Sequence, residues 1–281
     1  MGAGLAEVCA RAGLDVLVAV SRPGREEAGR RRLVGSMDHA LRKGKLTEAD
    51  RDAALARVSF TADLADFADR QFVIEAGPEQ ESVKLDVFAT LDKVVTDPEA
   101  ILGSNTSSFP IIQLGRVTDR PGKVVGTHFF NPVTVLPLVE LVGSVLTEED
   151  TVATAEVFVT EVLGKQVVRT KDRSGFVVNA LLIPYLLSAI RVYESGVASM
   201  ADIDTAMMLG CAHPMGPFAL SDLIGLDIVQ AISESLYNEY REPHYSPPPL
   251  LARMVSAGLL GKKSGRGFYE YPARSEVKVA A

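Results

Sequence analysis

The chain has 281 residues, which is about the length of two ordinary domains. Its composition is that of a globular protein, because 47% of the residues are hydrophobic and 23% are charged. The net charge of −7 argues against a dedicated DNA- or RNA-binding protein, since such a protein needs a basic face to neutralise phosphates.

The first 170 residues alternate helical patterns with short β-rich runs. The predicted helices in this part are residues 3–12, 24–43, 48–58, 81–95 and 148–163. The predicted strands are residues 15–20, 71–76, 100–104, 123–128, 139–142 and 165–170. Strands separated by helices indicate an α/β fold with a parallel, doubly wound sheet of the Rossmann type.

The strand signals stop after Asp172, and the rest of the chain reads as helices over residues 175–197, 199–209, 222–240 and 249–256. We therefore predict a Rossmann-type domain over residues 1–171 and a smaller all-α domain over residues 172–281. The tail after Tyr271 is expected to be disordered. The apolar helices of the second domain carry more apolar surface than a thin helical layer can bury, which predicts a homodimer. Changes at Asp222 or Leu223 should then disturb assembly.

The N-terminus looks like the end of a dinucleotide-binding fingerprint. Gly2 and Gly4 open the first predicted helix, where the last glycine of a G-x-G-x-x-G motif stands, and the start of such a helix holds a pyrophosphate. The preceding strand and two glycines are missing, so we interpret the chain as N-terminally truncated. That loss would remove the central strand of a 3-2-1-4-5-6 sheet and leave two strands without a neighbour. The alternative is an ordinary helix start made of small residues.

No targeting, membrane or metal signal stands out. The start has no basic segment followed by an apolar one, and the longest apolar stretch, residues 176–190, is broken by polar residues. Cys9 and Cys211 are the two cysteines, too few for a disulfide framework or a zinc site. We therefore expect a cytoplasmic protein with reduced thiols and with neither a metal site nor a membrane span.

His128 is the best-placed candidate for a general base. It ends a predicted strand, and ligands of open α/β sheets bind beyond the carboxyl ends of strands. Glu140 lies twelve residues later inside an apolar strand, where a carboxylate needs a partner. A His128–Glu140 dyad would hold the imidazole in one tautomer. The alternatives are a capped histidine at a strand end and a solvent-exposed glutamate on an edge strand.

Three further polar segments are candidates for ligand contacts. Ser104–Ser108 follows a predicted strand, Asn179 interrupts an apolar helix, and residues 261–267 form a basic, glycine-rich loop suited to phosphate. Their alternatives are a polar turn that caps a helix, a buried amide bonded within the core, and a solvated loop.

Together these segments resemble the L-3-hydroxyacyl-CoA dehydrogenases, and among them the short bacterial enzymes that act on 3-hydroxybutyryl-CoA. The resemblance covers essentially the whole chain in order and spacing. It rests on the following segments: Ser104–Ser108, His128–Pro132, Glu140, Asp172–Asn179, His213–Pro217 and Gly261–Tyr269.

The resemblance implies NAD-dependent oxidation of a short (3S)-3-hydroxyacyl-CoA to the 3-oxoacyl-CoA in fatty-acid or butanoate metabolism. It implies that His128 takes the hydroxyl proton, that Glu140 orients His128, and that Ser107 and Asn179 contact the reacting acyl group. The residues that it places around the dinucleotide are Gly2, Glu79, Lys84, Ser107, Asn131 and Lys263. Those that it places on the CoA moiety are Ser36 and Lys43.

The end of the strand at residues 15–20 departs from the family pattern. The family has an acidic residue there that binds the adenosine ribose, whereas this chain has Val20 followed by Ser21 and Arg22. Because an arginine at this place can accept a 2′-phosphate, NADP is a second candidate cofactor.

Two other functions are alternatives to this one. A binding or structural relative that has lost cofactor binding would keep His128 and Glu140 but have no affinity for nucleotides. A hydroxyacid dehydrogenase with a lysine base is disfavoured, because Lys84 and Lys123 lack the surrounding pattern that the His–Glu pair has.

Overall fold

The structure, a computed structural model, describes residues 1–271, so the tail predicted to be disordered lies outside the described residues. The chain forms two compact units, Met1–Arg173 and Ser174–Ala281. The boundary lies two residues after the predicted join. Each unit is described in turn.

The first unit alternates helices and strands. Its helices are α1 (Gly2–Arg11), α2 (Glu26–Arg42), α3 (Glu48–Ala56), α4 (Glu81–Val94), α5 (Ile111–Gly115) and α6 (Glu149–Val157). Its strands are β1 (Val16–Ala19), β2 (Val58–Thr61), β3 (Phe72–Glu75), β4 (Ile101–Ser104), β5 (Val124–Phe129), β6 (Leu138–Gly143) and β7 (Gln166–Lys171). The α/β class and the six predicted strands are thus confirmed within one or two residues at their ends.

The strands form two sheets. Strands β1 and β2 pair in parallel, and the other five follow the order β3-β4-β5-β6-β7. Among the described residues, β1 and β3 each have one neighbouring strand. The parallel arrangement is confirmed for the β1–β2, β3–β4, β4–β5 and β6–β7 pairs, and the β5–β6 pair is the exception, because it is antiparallel. Eight residues join these two strands, which is too short for a crossover that would make them parallel.

Helix α1 packs against both parts of this unit. Its Leu5 belongs to a core cluster with Ile101 of β4 and Val125 of β5. Residues Ala6 and Ala10, on another face of the helix, belong to a cluster with the buried side chains of α2. The small residues of α1 allow this close double packing, so the helix holds the two sheets in one unit.

Two predicted helices of this unit end differently from expectation. The helix predicted over residues 48–58 ends at Ala56, and Val58 begins β2, which pairs with Val16 of β1. Pairing to β1 decides the conformation of this short segment, and local sequence does not report that contact. The helix predicted over residues 148–163 consists of α6 and a π-helical segment, Phe158–Val162.

The second unit is helical, as predicted. Its helices are α7 (Val178–Glu194), α8 (Met200–Gly210), α9 (Pro217–Ile224), α10 (Leu226–Tyr240) and α11 (Pro249–Ser256). The single helix predicted over residues 222–240 is wrong, because the chain turns at Gly225, whose φ is 104°. Only glycine adopts this conformation readily. The N–H of Leu226 then donates to the carbonyl of Leu260 outside the helix, at 3.2 Å.

Asp222 lies inside this unit. Its carboxylate accepts the N–H groups of Phe268 and Tyr269, each at 2.9 Å, and the residue is 1% exposed. A lysine at Asp222 would therefore break the interior of the unit, so this position does not report on assembly as we expected. Leu223, in contrast, is exposed.

Cys9 and Cys211 are both free thiols, as the cysteine count predicted. Burial raises the pKa of Cys9 to about 11, so its thiolate is scarce at neutral pH. Within residues 1–271, every helix is too short or too polar to cross a lipid bilayer.

Candidate active site

His128 and Glu140 form a buried hydrogen-bonded pair. They are register partners in the antiparallel strands β5 and β6, so their side chains lie on the same face of the sheet. The Nδ1 of His128 lies 2.8 Å from Oε2 of Glu140, with His128 6% and Glu140 0% exposed. An ionised carboxylate can only accept a hydrogen bond, so Nδ1 carries the ring proton and donates it to Glu140 as a hydrogen bond. The lone pair that can take a proton from a ligand is then on Nε2. Glu140 lies in the interior of the sheet, not on an edge strand.

The loop after His128 is held from three sides. The N–H of Phe129 donates to Oδ1 of Asn105 at 2.9 Å, which ties the end of β5 to the loop after β4. The ammonium of Lys165 donates to the carbonyls of Val133 and Leu136 at 2.7 and 2.8 Å. A Cβ on Gly4 would lie 3.1 Å from Cβ of Val133, so the first turn of α1 packs directly against this loop. Asn131, the predicted cofactor contact, is exposed in the loop.

Glu79 and Ser107 meet beyond the carboxyl ends of β3 and β4. The carboxylate of Glu79 accepts the N–H of Ser107 at 3.0 Å and a short hydrogen bond from the hydroxyl of Thr106. Burial alone would raise the pKa of Glu79, but the Thr106 hydrogen bond and the charge of Lys84 outweigh it and lower the pKa. The carboxylate therefore stays anionic at neutral pH, and its side chain is still 41% exposed.

Lys84 is not an exposed cofactor contact. It is 1% exposed, and its ammonium bonds to carboxylate oxygens of Glu75 at 2.9 Å and of Glu79 at 3.0 Å. Lys84 is thus a buried residue with two carboxylate partners, and its place near the dinucleotide stays a prediction. The same contacts disfavour Lys84 as a base, and Lys123 is paired with Glu99 and Glu148.

The predicted CoA contacts, Ser36 and Lys43, lie on helix α2 and at its C-terminal end. The other predicted site residues of this unit lie on other elements and loops. The hydroxyl of Ser36 donates to the buried carboxylate of Glu7 at 2.5 Å. Its oxygen therefore presents acceptor lone pairs to any ligand. Lys43 is exposed at the end of the same helix.

Two predicted site residues belong to the second unit. Asn179 is the second residue of α7 and is buried. Lys263 is exposed in the glycine-rich loop, and its ammonium pairs with the two carboxylate oxygens of Asp227 at 2.5 and 2.6 Å.

The end of β1 is basic. The N–H of Val20 donates to the carbonyl of Thr61, and the exposed Ser21 and Arg22 follow. Arg25 is the N-cap residue of α2 and makes no side-chain capping hydrogen bond. Helix α1 begins at Gly2 and likewise has no side-chain cap, so its first N–H groups have no side-chain partner there.

Sequence reasoning missed Glu75, the partner of Lys84, and it named the segments that contain Asn105 and Asp172 without the structural role of either residue. Asp172 accepts the N–H groups of Ile111 and Ile112 at 2.9 and 2.8 Å, which anchors the helix after the Ser107 loop. Glu75 could have been found by the same signal as Glu140, because it is also a carboxylate in an apolar strand.

The comparisons with known proteins agree with this geometry. Residues 1–173 match the family described as "3-hydroxyacyl-CoA dehydrogenase, NAD binding domain", and residues 175–271 match "3-hydroxyacyl-CoA dehydrogenase, C-terminal domain". A 3-hydroxybutyryl-CoA dehydrogenase of Mycobacterium tuberculosis is 58% identical over 271 residues, which are 96% of this chain and 95% of the relative.

Two crystal structures have the same fold over nearly the whole chain. That of M. tuberculosis FadB2 is 58% identical with a TM-score of 0.95, and covers 96% of this chain and 95% of its own. That of (S)-3-hydroxybutyryl-CoA dehydrogenase PaaH1 from Ralstonia eutropha is 41% identical with a TM-score of 0.92, and covers 97% and 96%. Neither comparison supports the alternative of an inactive relative. The chain therefore belongs to the 3-hydroxyacyl-CoA dehydrogenase family, as the sequence motifs predicted.

Proposed function

We propose that this chain is an NAD-dependent dehydrogenase that converts (3S)-3-hydroxybutyryl-CoA to acetoacetyl-CoA. The observation that carries the proposal is the buried His128–Glu140 pair in a chain of this family. An imidazole oriented by a buried carboxylate is suited to removing a hydroxyl proton near neutral pH.

Each proposed site residue has one task. His128 takes the 3-hydroxyl proton on Nε2, and Glu140 holds the Nδ1 proton and stabilises the imidazolium that forms. Ser107 and Asn179 contact the reacting acyl group, and Ser36 and Lys43 contact the CoA moiety. The protein supplies positioning and the proton path, which favours reaction by holding the reactants in a productive geometry.

The first unit fits a dinucleotide. The uncapped start of α1 at Gly2 offers backbone N–H groups to a pyrophosphate, and the exposed side of the Glu79 carboxylate suits ribose hydroxyls. Asn131 and Lys263 are the other residues proposed to contact the cofactor, and Lys84 is proposed to act on it through Glu79. When bound, the nicotinamide accepts the hydride that leaves the substrate carbon.

The experiment is reduction of NAD⁺ by the two enantiomers of 3-hydroxybutyryl-CoA, followed at the nicotinamide absorbance band. We expect the (3S) enantiomer to be oxidised with kcat/KM at least about 100-fold above the (3R) enantiomer, because only one enantiomer places its hydroxyl on His128 and its C–H toward the nicotinamide. Equal use of both enantiomers, or use of neither, would contradict the proposal.

The finer proposal is that this chain also accepts NADP, because Val20 has no carboxylate to repel a 2′-phosphate and Arg22 is exposed beside it. We expect Arg22→Ala to lower kcat/KM for NADPH about ten-fold through the loss of one charge-assisted hydrogen bond. The value for NADH should change less than about two-fold. The measurement is acetoacetyl-CoA-dependent oxidation of each cofactor.

Val20→Asp is the complementary variant for this prediction. It restores an acidic residue at the strand end and should depress NADPH use while sparing NADH. If the unmodified chain oxidises no NADPH, the proposal for NADP is wrong and the role in NAD use is unaffected.

We also propose that the chain is a homodimer formed through its helical unit. The support is a set of exposed apolar side chains on α7, α8, α9 and α10, namely Leu181, Leu209, Leu223 and Ile228. We expect sedimentation at micromolar concentration to give twice the chain mass, and Leu223→Glu to give the mass of one chain. A monomeric unmodified protein would refute the dimer.

A further inference from the structure

We propose that Glu75 is a positioning residue for the cofactor site, acting through Lys84 on Glu79; this proposal rests on the proposed function above. Glu75 holds the Lys84 ammonium where it also contacts Glu79, and thereby sets how the Glu79 carboxylate meets the loop that carries Ser107.

Glu75 has no capacity left for a ligand. It ends β3, is 7% exposed, and accepts hydrogen bonds from the N–H of Gly77 at 2.5 Å and the hydroxyl of Ser104 at 2.7 Å. The ammonium of Lys84 donates to its two oxygens at 3.1 and 2.9 Å. A carboxylate has about four lone-pair sites, and these four contacts fill them. Glu75 therefore acts on the cofactor site only through its partners.

Lys84 connects the Glu75 carboxylate, whose hydrogen-bonding sites are all occupied, to the partly exposed Glu79 carboxylate. It lies in the first turns of α4 and is 1% exposed, so its ammonium has exchanged water for Glu75 and Glu79. The Glu79 carboxylate, in contrast, is 41% exposed on its other side. Because a buried charge must keep its partners, Lys84 cannot move toward Glu79 without leaving Glu75 uncompensated. The position of Glu79 is thereby coupled to Glu75.

The same cluster joins two loops. Glu75 bonds to Gly77 of the β3–α4 loop and to Ser104 at the end of β4, and Glu79 bonds to Thr106 and Ser107. The exposed side of Glu79 suits the hydroxyl groups of a ribose, which a carboxylate binds as an acceptor. Glu75 thus governs ground-state binding of the dinucleotide and not the proton transfer at His128.

The test is Glu75→Gln, which keeps the size of the side chain. Because Lys84 contacts both carboxylate oxygens of Glu75, the glutamine N–H₂ group faces the Lys84 ammonium in either orientation and displaces it. We expect the Kd for NADH, from fluorescence titration, to rise about ten-fold, while kcat at saturating NADH changes less than about three-fold. Unchanged Kd in the folded variant would overturn the proposal.

Glu99→Gln is the matched control. Glu99 precedes β4 at the opposite edge of the same sheet, where Lys123 is shared between Glu99 at 2.7 Å and Glu148 at 3.0 Å. The control therefore neutralises one of the two carboxylates that share a lysine, at the end of β4 opposite to the end near Glu79. We expect its Kd for NADH to equal that of the unmodified chain. An equal rise in both variants would mean that the effect is not specific to Glu75, and would also overturn the proposal.

A second variant covers the case in which Glu75→Gln fails to fold. Glu75→Gln combined with Lys84→Gln replaces the ion pair by two amides, which leaves no buried charge unpaired at these two positions. We expect the double variant to fold and to bind NADH about ten-fold more weakly, because Glu79 has lost Lys84 in it as well. A folded double variant with unchanged Kd would contradict the proposal.

The outcomes separate this proposal from the proposed function. An unmodified chain that binds no NADH overturns both. An unmodified chain that binds NADH and oxidises it with acetoacetyl-CoA, beside a Glu75→Gln variant of equal affinity, overturns only the role of Glu75.

Discussion

His128→Gln is expected to lower kcat for acetoacetyl-CoA reduction by about 10²–10⁴-fold, the usual contribution of a general acid or base. Glutamine fills similar space and can still hydrogen-bond to Glu140, but it has no group that exchanges a proton near neutral pH. The KM for acetoacetyl-CoA and the Kd for NADH should change little, because the substitution removes an interaction needed in the transition state. Steady-state kinetics and NADH titration measure these quantities.

The control for this variant is His244→Gln. His244 also pairs with a glutamate, Glu242, at 3.2 Å, but both side chains are exposed and neither is among the proposed site residues. The control should keep the activity of the unmodified chain. Full activity of folded His128→Gln would show that another group transfers the proton.

Glu140→Gln is also expected to lower kcat by about 10²–10⁴-fold. Its amide can keep the 2.8 Å contact with Nδ1, but it can turn either its oxygen or its N–H₂ group toward the ring. The second orientation stabilises the wrong tautomer, with the proton on Nε2. The neutral amide also gives no charge to balance an imidazolium. Single-turnover rates with NADH and acetoacetyl-CoA isolate this chemical step.

Glu242→Gln is the matched control for Glu140→Gln, since it neutralises the exposed partner of His244. Thermal unfolding of both variants should be measured together with the rates, because Glu140 is fully buried. A folded Glu140→Gln variant with the rate of the unmodified chain would remove Glu140 from the proposed mechanism.

The His–Glu pair was predictable because two independent sequence signals agreed. A histidine at a strand end and a carboxylate inside the next apolar strand each needed a partner, and a short connection made the strands adjacent. The observed register places His128 opposite Glu140. The eight-residue connection is too short for a helical crossover, so the antiparallel pairing of these strands could also have been predicted from the sequence.

Lys84 shows what sequence alone did not reveal. Its position after the β3–α4 loop matched a family residue near the dinucleotide. However, Lys84 is only 1% exposed, and its ammonium is paired with two carboxylates, those of Glu75 and Glu79. One of these partners, Glu75, lies nine residues earlier at the end of a strand, and the contact depends on how α4 folds back over the sheet. Such contacts between elements are set by packing and not by local pattern.

The other differences arise where tertiary pairing overrides local preference. Val58 continues a helical pattern but is drawn into β2 by pairing with Val16. Residues 222–240 have continuous helical character, yet Gly225 turns the chain so that Leu226 can bond to Leu260. In both places the observed conformation is stabilised by contacts with a segment that is distant in sequence.

We propose above all that this chain transfers a hydride between a nicotinamide cofactor and a short acyl-CoA. The direct measurement is NADH oxidation by the 281-residue protein with acetoacetyl-CoA, with circular dichroism of the same sample to establish that it is folded. NADH oxidation is expected to require acetoacetyl-CoA and to be about 10²–10⁴-fold slower in His128→Gln. Folded protein that oxidises neither NADH nor NADPH with this substrate would contradict it.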